Sequence, residues 1–382
     1  MGSIARREFL ARAAELAAAG GLFGLCGSGA LLCGPFTGRA LAAEGTRREA
    51  LYYEKLRNNE IHCSLCPLDC QLADGMTCFC RTRTNRGGTL YTDAYENPAV
   101  LRVDPIEKTP LHHFFPGAKA LALGTPGCNL RCLYCQNFEE SQSRPADCKT
   151  LALTAREAVR LAKEKGCGAI ACTYTEPIVF YEYAIELAER AHEAGLRAVA
   201  ATNCFMMPEP MKRFARTFDA IACAIKGITE KYYEKVCGSE LAPVLRAIEA
   251  ARAEGKAWLE VTTLVVPTLN DAPEDLRGVA RWVRTHLGAE TPLHFARFVP
   301  VYRLRDLPPT PVRTLEAARK AALDEGLRYV YISNVAPHEG NSTYCPRCKA
   351  EIVKRIGVKL LESRVARGKC GACGAGIPGK WT

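Results

Sequence analysis

The sequence predicts an α/β protein. A partial (βα) barrel of the TIM-like kind is flanked by a small Cys-rich N-terminal module and a C-terminal zinc-ribbon-like module. Three observations predict it. From residue 119 onward, apolar runs alternate with helical stretches at least six times, the mark of βα units around a parallel sheet. Residues 61–118 are punctuated by Cys, Gly and Pro and hold few long periodic stretches. Two Cys-x-x-Cys pairs follow the last run. The domains expected are 1–45, a leader; 46–118, the Cys-rich module; 119–338, the barrel; and 339–382, the ribbon-like module.

Each element has its own signal. Residues 48–60 read as a short helix. Lys119–Gly124 is an apolar strand that ends in a loop. Thr154–Lys165, Ile178–Ala194, Glu209–Thr217, Ala242–Glu254, Pro273–Leu287 and Leu315–Glu325 have helical periodicity. Between and after them lie the strands Gly168–Tyr174, Leu196–Thr202, Ala220–Ile225, Ala257–Val266, Pro292–Val299 and Leu327–Ile332. Repetition on this scale favours a full or partial barrel over a short doubly wound sheet.

The leader carries Arg6-Arg7-Glu8-Phe9-Leu10, an uncharged Ala- and Gly-rich stretch from Leu16 to Gly38, and a small-x-small site at Ala40-Leu41-Ala42. It looks like a twin-arginine export signal or anchor, with an amphipathic helix of a cytoplasmic protein as the alternative. The 382-residue chain is 48% apolar and 24% charged, which excludes a disordered or all-membrane protein. Its net charge of +10 is spread without a basic tract, so charge alone does not call for nucleic acid. Neither GxxxxGK[ST] nor a strand-to-helix GxGxxG is present, which removes the usual support for nucleotide binding.

Twenty cysteines are the abnormal feature, and they fall in tight groups as metal ligands do. Cys128, Cys132 and Cys135 follow the first barrel strand at Cys-x3-Cys-x2-Cys spacing, with Tyr134 before the last. Three thiolates on one loop can hold three corners of a [4Fe-4S] cluster and leave one iron open, whereas four would close it. Cys345, Cys348, Cys370 and Cys373 form two knuckles of the structural zinc kind; an iron–sulfur cluster or disulfides are the alternatives. Zinc ribbons often bind nucleic acid, and the lysines and arginines nearby leave RNA as an alternative partner. Cys63, Cys66, Cys70 and Cys80 form a further candidate site, with Cys78 competing as fourth ligand; zinc and an auxiliary iron–sulfur cluster both fit. Cys148, Cys167, Cys172, Cys204, Cys223 and Cys237 read as small buried hydrophobes without a role.

The Gly127–Cys135 run resembles the signature of the radical S-adenosylmethionine (SAM) superfamily. That resemblance implies a [4Fe-4S] cluster whose open iron is chelated by SAM. One-electron reduction then splits SAM into methionine and a 5′-deoxyadenosyl radical that abstracts hydrogen. Thr173-Tyr174-Thr175-Glu176-Pro177 is similar to the Gly-Gly-Glu-Pro motif of pyruvate formate-lyase activating enzymes, with Glu176 matched and Tyr174 and Thr175 replacing the glycines. Thr202-Asn203 resembles their Thr-Asn-Gly with Cys204 for Gly, and Ala224-Ile225-Lys226 their Asp-Leu-Lys without the Asp. The resemblance assigns Tyr134, Glu176, Asn203 and Lys226 to cofactor binding. Asp104–Lys108, Pro110–Phe114, Cys135-Gln136-Asn137, Val266–Asp271 and Pro292–Phe298 look like the radical SAM enzyme of the AmmeMemoRadiSam system. That group implies AMMECR1-like and Memo-like partners and an electron donor such as ferredoxin or flavodoxin. His294 and Arg297 are candidate pocket residues, with structural hydrogen bonding the alternative.

The expected function is hydrogen abstraction from an unidentified substrate. The competitors are a glycyl-radical-enzyme activase acting on a partner protein, and an exported metal-binding or electron-transfer protein without SAM chemistry.

Overall fold

Eight strands form one sheet in sequence order: β1 (Val100–Pro105), β2 (Lys119–Gly124), β3 (Ala169–Cys172), β4 (Arg197–Thr202), β5 (Ala220–Ala224), β6 (Trp258–Val265), β7 (Leu293–Arg297) and β8 (Val330–Ser333). The computed structural model describes residues 47–381. The leader motif at Arg6–Leu10 lies outside them; among the described residues no helix is long and apolar enough to cross a membrane. From β2 to β8 every pairing is parallel, and β1 runs antiparallel to β2. The sheet therefore begins before residue 119, inside the segment read from sequence as part of the Cys-rich module.

Helices α1 (Ala155–Glu164), α2 (Tyr181–Glu193), α3 (Pro208–Thr217), α4 (Leu241–Glu254), α5 (Pro273–His286) and α6 (Val312–Asp324) link the strands. Successive strand residues face opposite sides, and here the two sides differ in size. Leu121, Leu123, Ile170, Cys172, Ile221 and Cys223 pack in the core that also holds Val159, Ile185 and Phe214 of the helices. Ala120, Ala122, Ala169, Ala171, Ala220 and Ala222 point the other way. Their small side chains leave room for Ile106, Leu111 and Phe114 from the β1–β2 connection. Thr154 starts α1 with a capping box to Glu157, and Gly255 (φ 68) ends α4.

The helix expected over 48–60 is absent. Tyr53–Lys55 instead pairs with Ile61–Cys63, which pairs with Cys70–Leu72. Tyr52, Asn58 and Asn59 take positive φ, which a right-handed helix forbids. The helix-forming residues there were overridden by the hairpin that aligns Cys63 opposite Cys70.

The strand-start end of the barrel is closed by the C-terminal module. Its strands Thr343–Tyr344, Glu351–Ile356 and Lys359–Ser363 form a small antiparallel sheet. Phe115 N–H donates to Lys380 O, and Lys380 N–H to His113 O. Arg355, fully buried, donates to Glu107, Thr343 and the His112 carbonyl.

Candidate active site

Three cysteines stand on the loop after β2. Cys132 is buried, while Cys128 and Cys135 are half-buried. Gly127 enters the loop at φ +100, and a Cβ there would meet Thr82 Cγ2 at 2.4 Å and Cys80 O at 2.8 Å. Glycine is therefore required by both conformation and space. The loop is braced from the far side of the barrel: Arg131 and Leu133 N–H groups donate to Cys237 O and Val236 O. Those acceptors belong to a π-helical turn, Tyr233–Cys237, a geometry frequent at functional sites.

The sequence-predicted residues converge here. Glu176 is buried; its carboxylate accepts from Thr202 Oγ1 (2.7 Å), Asn203 N–H (2.7 Å) and Ile178 N–H (3.2 Å). Burial pushes its pKa up to about 7 against those three donors. Asn203 Nδ2 donates to Asn129 Oδ1 at 2.9 Å and lies 3.9 Å from Cys128 Sγ. Lys226 carries its charge toward Cys132, Cys237, Glu176 and Cys128. Tyr134 is buried; its ring stacks on Tyr232 at 6.4 Å and its hydroxyl meets Cys237 Sγ at 3.6 Å. Ser141 Oγ contacts Cys135 Sγ at 3.2 Å.

Two of the three positions where glycine is replaced keep a left-handed backbone, Tyr174 at φ 68 and Cys204 at φ 57; Thr175 does not. Tyr174 is held by its hydroxyl on Asp104 and by Asn137 Nδ2 donating to its carbonyl. Cys204 N–H donates to Thr202 Oγ1 at 3.0 Å, and Phe205 N–H to Asn203 Oδ1 at 2.8 Å. The turn is thus fixed by side-chain acceptors that precede it.

The residues fit a cluster and SAM. Three thiols stand on a single loop, close enough to interact electrostatically; Asn203 and Ser141 offer polar contacts to two of the sulfurs, and Lys226 supplies positive charge. The Thr175 hydroxyl, on the same strand-end run, is buried with no hydrogen-bond partner, as expected of a group that awaits a ligand.

Other candidates fall elsewhere. His294 is fully buried in the barrel interior; its Nε2 is 2.7 Å from Glu260 Oε2 and its ring stacks on Tyr331. Glu260 also accepts from His112 and His113 N–H groups. Arg297 Nε donates to Thr310 O. Neither residue joins the thiols, so the hydrogen-bonding alternative holds for both. Sequence reasoning missed Cys237, set aside among the scattered cysteines, although its thiol touches Cys132 and Tyr134. Its separation of about a hundred residues from the loop hid it; the Gly238 (φ 66) that ends the turn was the signal available.

The flanking thiols divide into two arrangements. Among the described residues, Cys345, Cys348, Cys370 and Cys373 bring their four sulfurs within 4.8 Å of one another. Cys345–Cys373 is 3.6 Å and Cys348–Cys370 is 3.8 Å. In the N-terminal module Cys63, Cys66, Cys70, Cys78 and Cys80 line one small cavity. The Cys78 thiol contacts those of Cys63, Cys70 and Cys80. Cys66 lines the same cavity but meets the other thiols only at longer range.

A model of the radical SAM superfamily matches residues 123–283. The uncharacterized protein MJ0808 of Methanocaldococcus jannaschii is 44% identical over 332 residues, covering 86% of this chain and 98% of that protein. The benzylsuccinate synthase activating enzyme of Thauera aromatica is 24% identical over 132 residues, covering 34% of this chain and 40% of that protein. A radical SAM methyltransferase from Sphaerobacter thermophilus superposes with a TM-score of 0.47 at 16% identity, covering 61% of this chain and 71% of that one. By its sequence the chain belongs to the family of the archaeal protein MJ0808, and it is an enzyme of the radical SAM superfamily.

Proposed function

We propose that the chain splits SAM reductively at the strand ends and takes hydrogen from a substrate that remains to be found. The observation that carries this is the convergence of Cys128, Cys132 and Cys135 with Glu176, Asn203 and Lys226 from successive strand ends. The chemistry supplied at such a site is one-electron reduction of the SAM sulfonium. The chain's own residues do the rest. Cys128, Cys132 and Cys135 hold the cluster. Glu176, pinned by Thr202 and Asn203, offers a carboxylate for the SAM amine, and Lys226 offers a cation for its carboxylate. Buried Tyr134 and Leu130 keep water from the loop.

Anaerobically purified, reconstituted protein given dithionite and SAM should yield 5′-deoxyadenosine, and a Cys132→Ala variant should not. Absence of the product from spectroscopically intact protein would overturn the reading. A second reading, activation of a glycyl-radical enzyme, is favoured by the likeness to the Thauera activating enzyme. Appearance of a glycyl-radical signal on an added partner protein would support it. A ferredoxin or flavodoxin is the donor this reading needs; an AMMECR1-like or Memo-like partner rests on the motif resemblance and is tested by co-purification.

The C-terminal thiols favour zinc. Tetrahedral Zn–S bonds of ~2.3 Å set sulfurs about 3.8 Å apart, which agrees with the separations of 3.6 and 3.8 Å. Elemental analysis should find zinc that a Cys370→Ser variant lacks.

A further inference from the structure

We propose that the N-terminal cavity holds a second iron–sulfur cluster, ligated by Cys63, Cys70, Cys78 and Cys80 and set against the cluster loop of the barrel. The inference rests on the radical SAM reading only for what lies next to it. The site itself is built from a different module.

Three independent observations carry it. First, thiols from three separate segments reach one cavity. Cys63 and Cys70 stand directly opposite across a hairpin. Cys78 and Cys80 come from the loop before Arg83–Arg86, and Cys78 touches the other three.

Second, the cavity wall carries a buried cation with one unsatisfied donor. Arg83 is 1% exposed and lines the cavity. Its Nη2 pairs with Glu182 at 2.6 Å and its Nη1 donates to Leu51 O at 2.9 Å. Its Nε is buried with no partner. A buried donor without an acceptor costs about 1–3 kcal/mol, and an anionic ligand in the cavity would remove that cost. Four thiolates around iron and sulfide are such an anion, and hydrogen bonds near cluster sulfurs are a usual means of tuning them.

Third, the spacing differs from that of the C-terminal set. A single tetrahedral ion draws four sulfurs close together, and among the described residues only the C-terminal four lie within 4.8 Å of one another. The N-terminal thiols line one cavity without forming such a group among the described residues, so their spacing does not match that of a single tetrahedral ion.

The cavity also adjoins the barrel's own loop. Asn129 lines it, and its Oδ1 takes the hydrogen bond of Asn203, which reaches Cys128 Sγ. Arg131 donates to Cys128 O, lies 3.8 Å over the Phe79 ring and donates to Phe79 O. Phe79 separates Cys78 from Cys80, so one arginine ties the two thiol loops together.

The test uses the full chain with Cys128, Cys132 and Cys135 all changed to Ala, which leaves the N-terminal thiols intact. After anaerobic reconstitution this variant should retain iron and acid-labile sulfide, with a reducible cluster signal in electron paramagnetic resonance. Adding Cys78→Ala should remove them, and adding Cys66→Ala should not. In the unaltered protein, reduction of both sites should broaden each signal through the neighbouring spin. Zinc without iron or sulfide in the triple variant would overturn the proposal. Retention of the cluster on loss of Cys78 would overturn the ligand assignment. Neither result depends on 5′-deoxyadenosine, so failure here is distinct from failure of the SAM reading.

Discussion

The two ends of the barrel are both buried and both polar, yet they are built to opposite purposes. Where the strands end, the groups brought together are thiols, a carboxylate, an amine and an orphaned hydroxyl, and the N-terminal module presses a second thiol group against them. Where the strands begin, Glu260, His294, His112, His113, Tyr331, Glu107 and Arg355 bond mainly to one another and to the C-terminal module. One end offers chemistry to a ligand; the other holds a domain in place. Orphaned atoms alone do not separate the two ends, since Glu107 Oε2, His112 Nδ1 and His294 Nδ1 are also buried without a hydrogen-bond partner; the kind of group gathered at each end does.

The largest expected effect separates the two ends directly. Cys132→Ala should abolish 5′-deoxyadenosine formation and leave the Tm nearly unchanged. Cys370→Ala should do the reverse, lowering Tm sharply through loss of metal-coupled folding while activity per folded chain persists. Equal losses of activity in both variants would break the comparison.

A smaller effect concerns Arg355 and Glu107, both with fully buried side chains. Removing one member of a buried pair strands the other, at about 3–5 kcal/mol. Chemical denaturation of Glu107→Ala should show a loss of that order, with SAM binding intact. A loss below about 1 kcal/mol would mean that water reaches the pair.

The same end should make the protein acid-sensitive. Burial lowers the His113 pKa from 6.5 to about 4, outweighing the pull of Glu260. The folded state therefore refuses a proton that the unfolded chain accepts. Its contribution is whole above pH 6.5 and is lost as pH falls toward 4, about 3 kcal/mol over roughly 2.5 units. Tm measured across that window should fall, and His113→Gln should remove part of the slope, with His112 carrying the rest. An unchanged slope in the variant would remove His113 as its source.

The strand-end site was more legible in the sequence than the closed end, for a physical reason. Cys128–Cys135 lies on one loop, and Glu176, Asn203 and Lys226 each follow an apolar run, so short-range pattern placed them in order. His294 and Glu260 also follow pattern, but they are held by each other and by the His112 and His113 N–H groups, far away in sequence. The helix misread over 48–60 fails likewise: the pairing of Cys63 with Cys70, and not local propensity, sets that backbone. Cys78 and Cys66 differ by sulfur contacts that no spacing reveals.

The smallest effect concerns Cys204, whose left-handed backbone costs an L-residue roughly 1–2 kcal/mol. Its side chain is fully buried and its thiol touches that of Cys223, so it returns a comparable amount through burial, on the order of 1 kcal/mol. The two terms oppose each other in Cys204→Gly, because glycine relieves the φ of 57 and loses the buried thiol. Stability should therefore change by less than about 1 kcal/mol, and Asn203 should keep its bond to Glu176, leaving SAM affinity unaltered. A large destabilisation would show that the Cys204–Cys223 contact, rather than the Thr202 and Asn203 side chains, holds the turn. The strand-end site would then depend on packing as strongly as the closed end does.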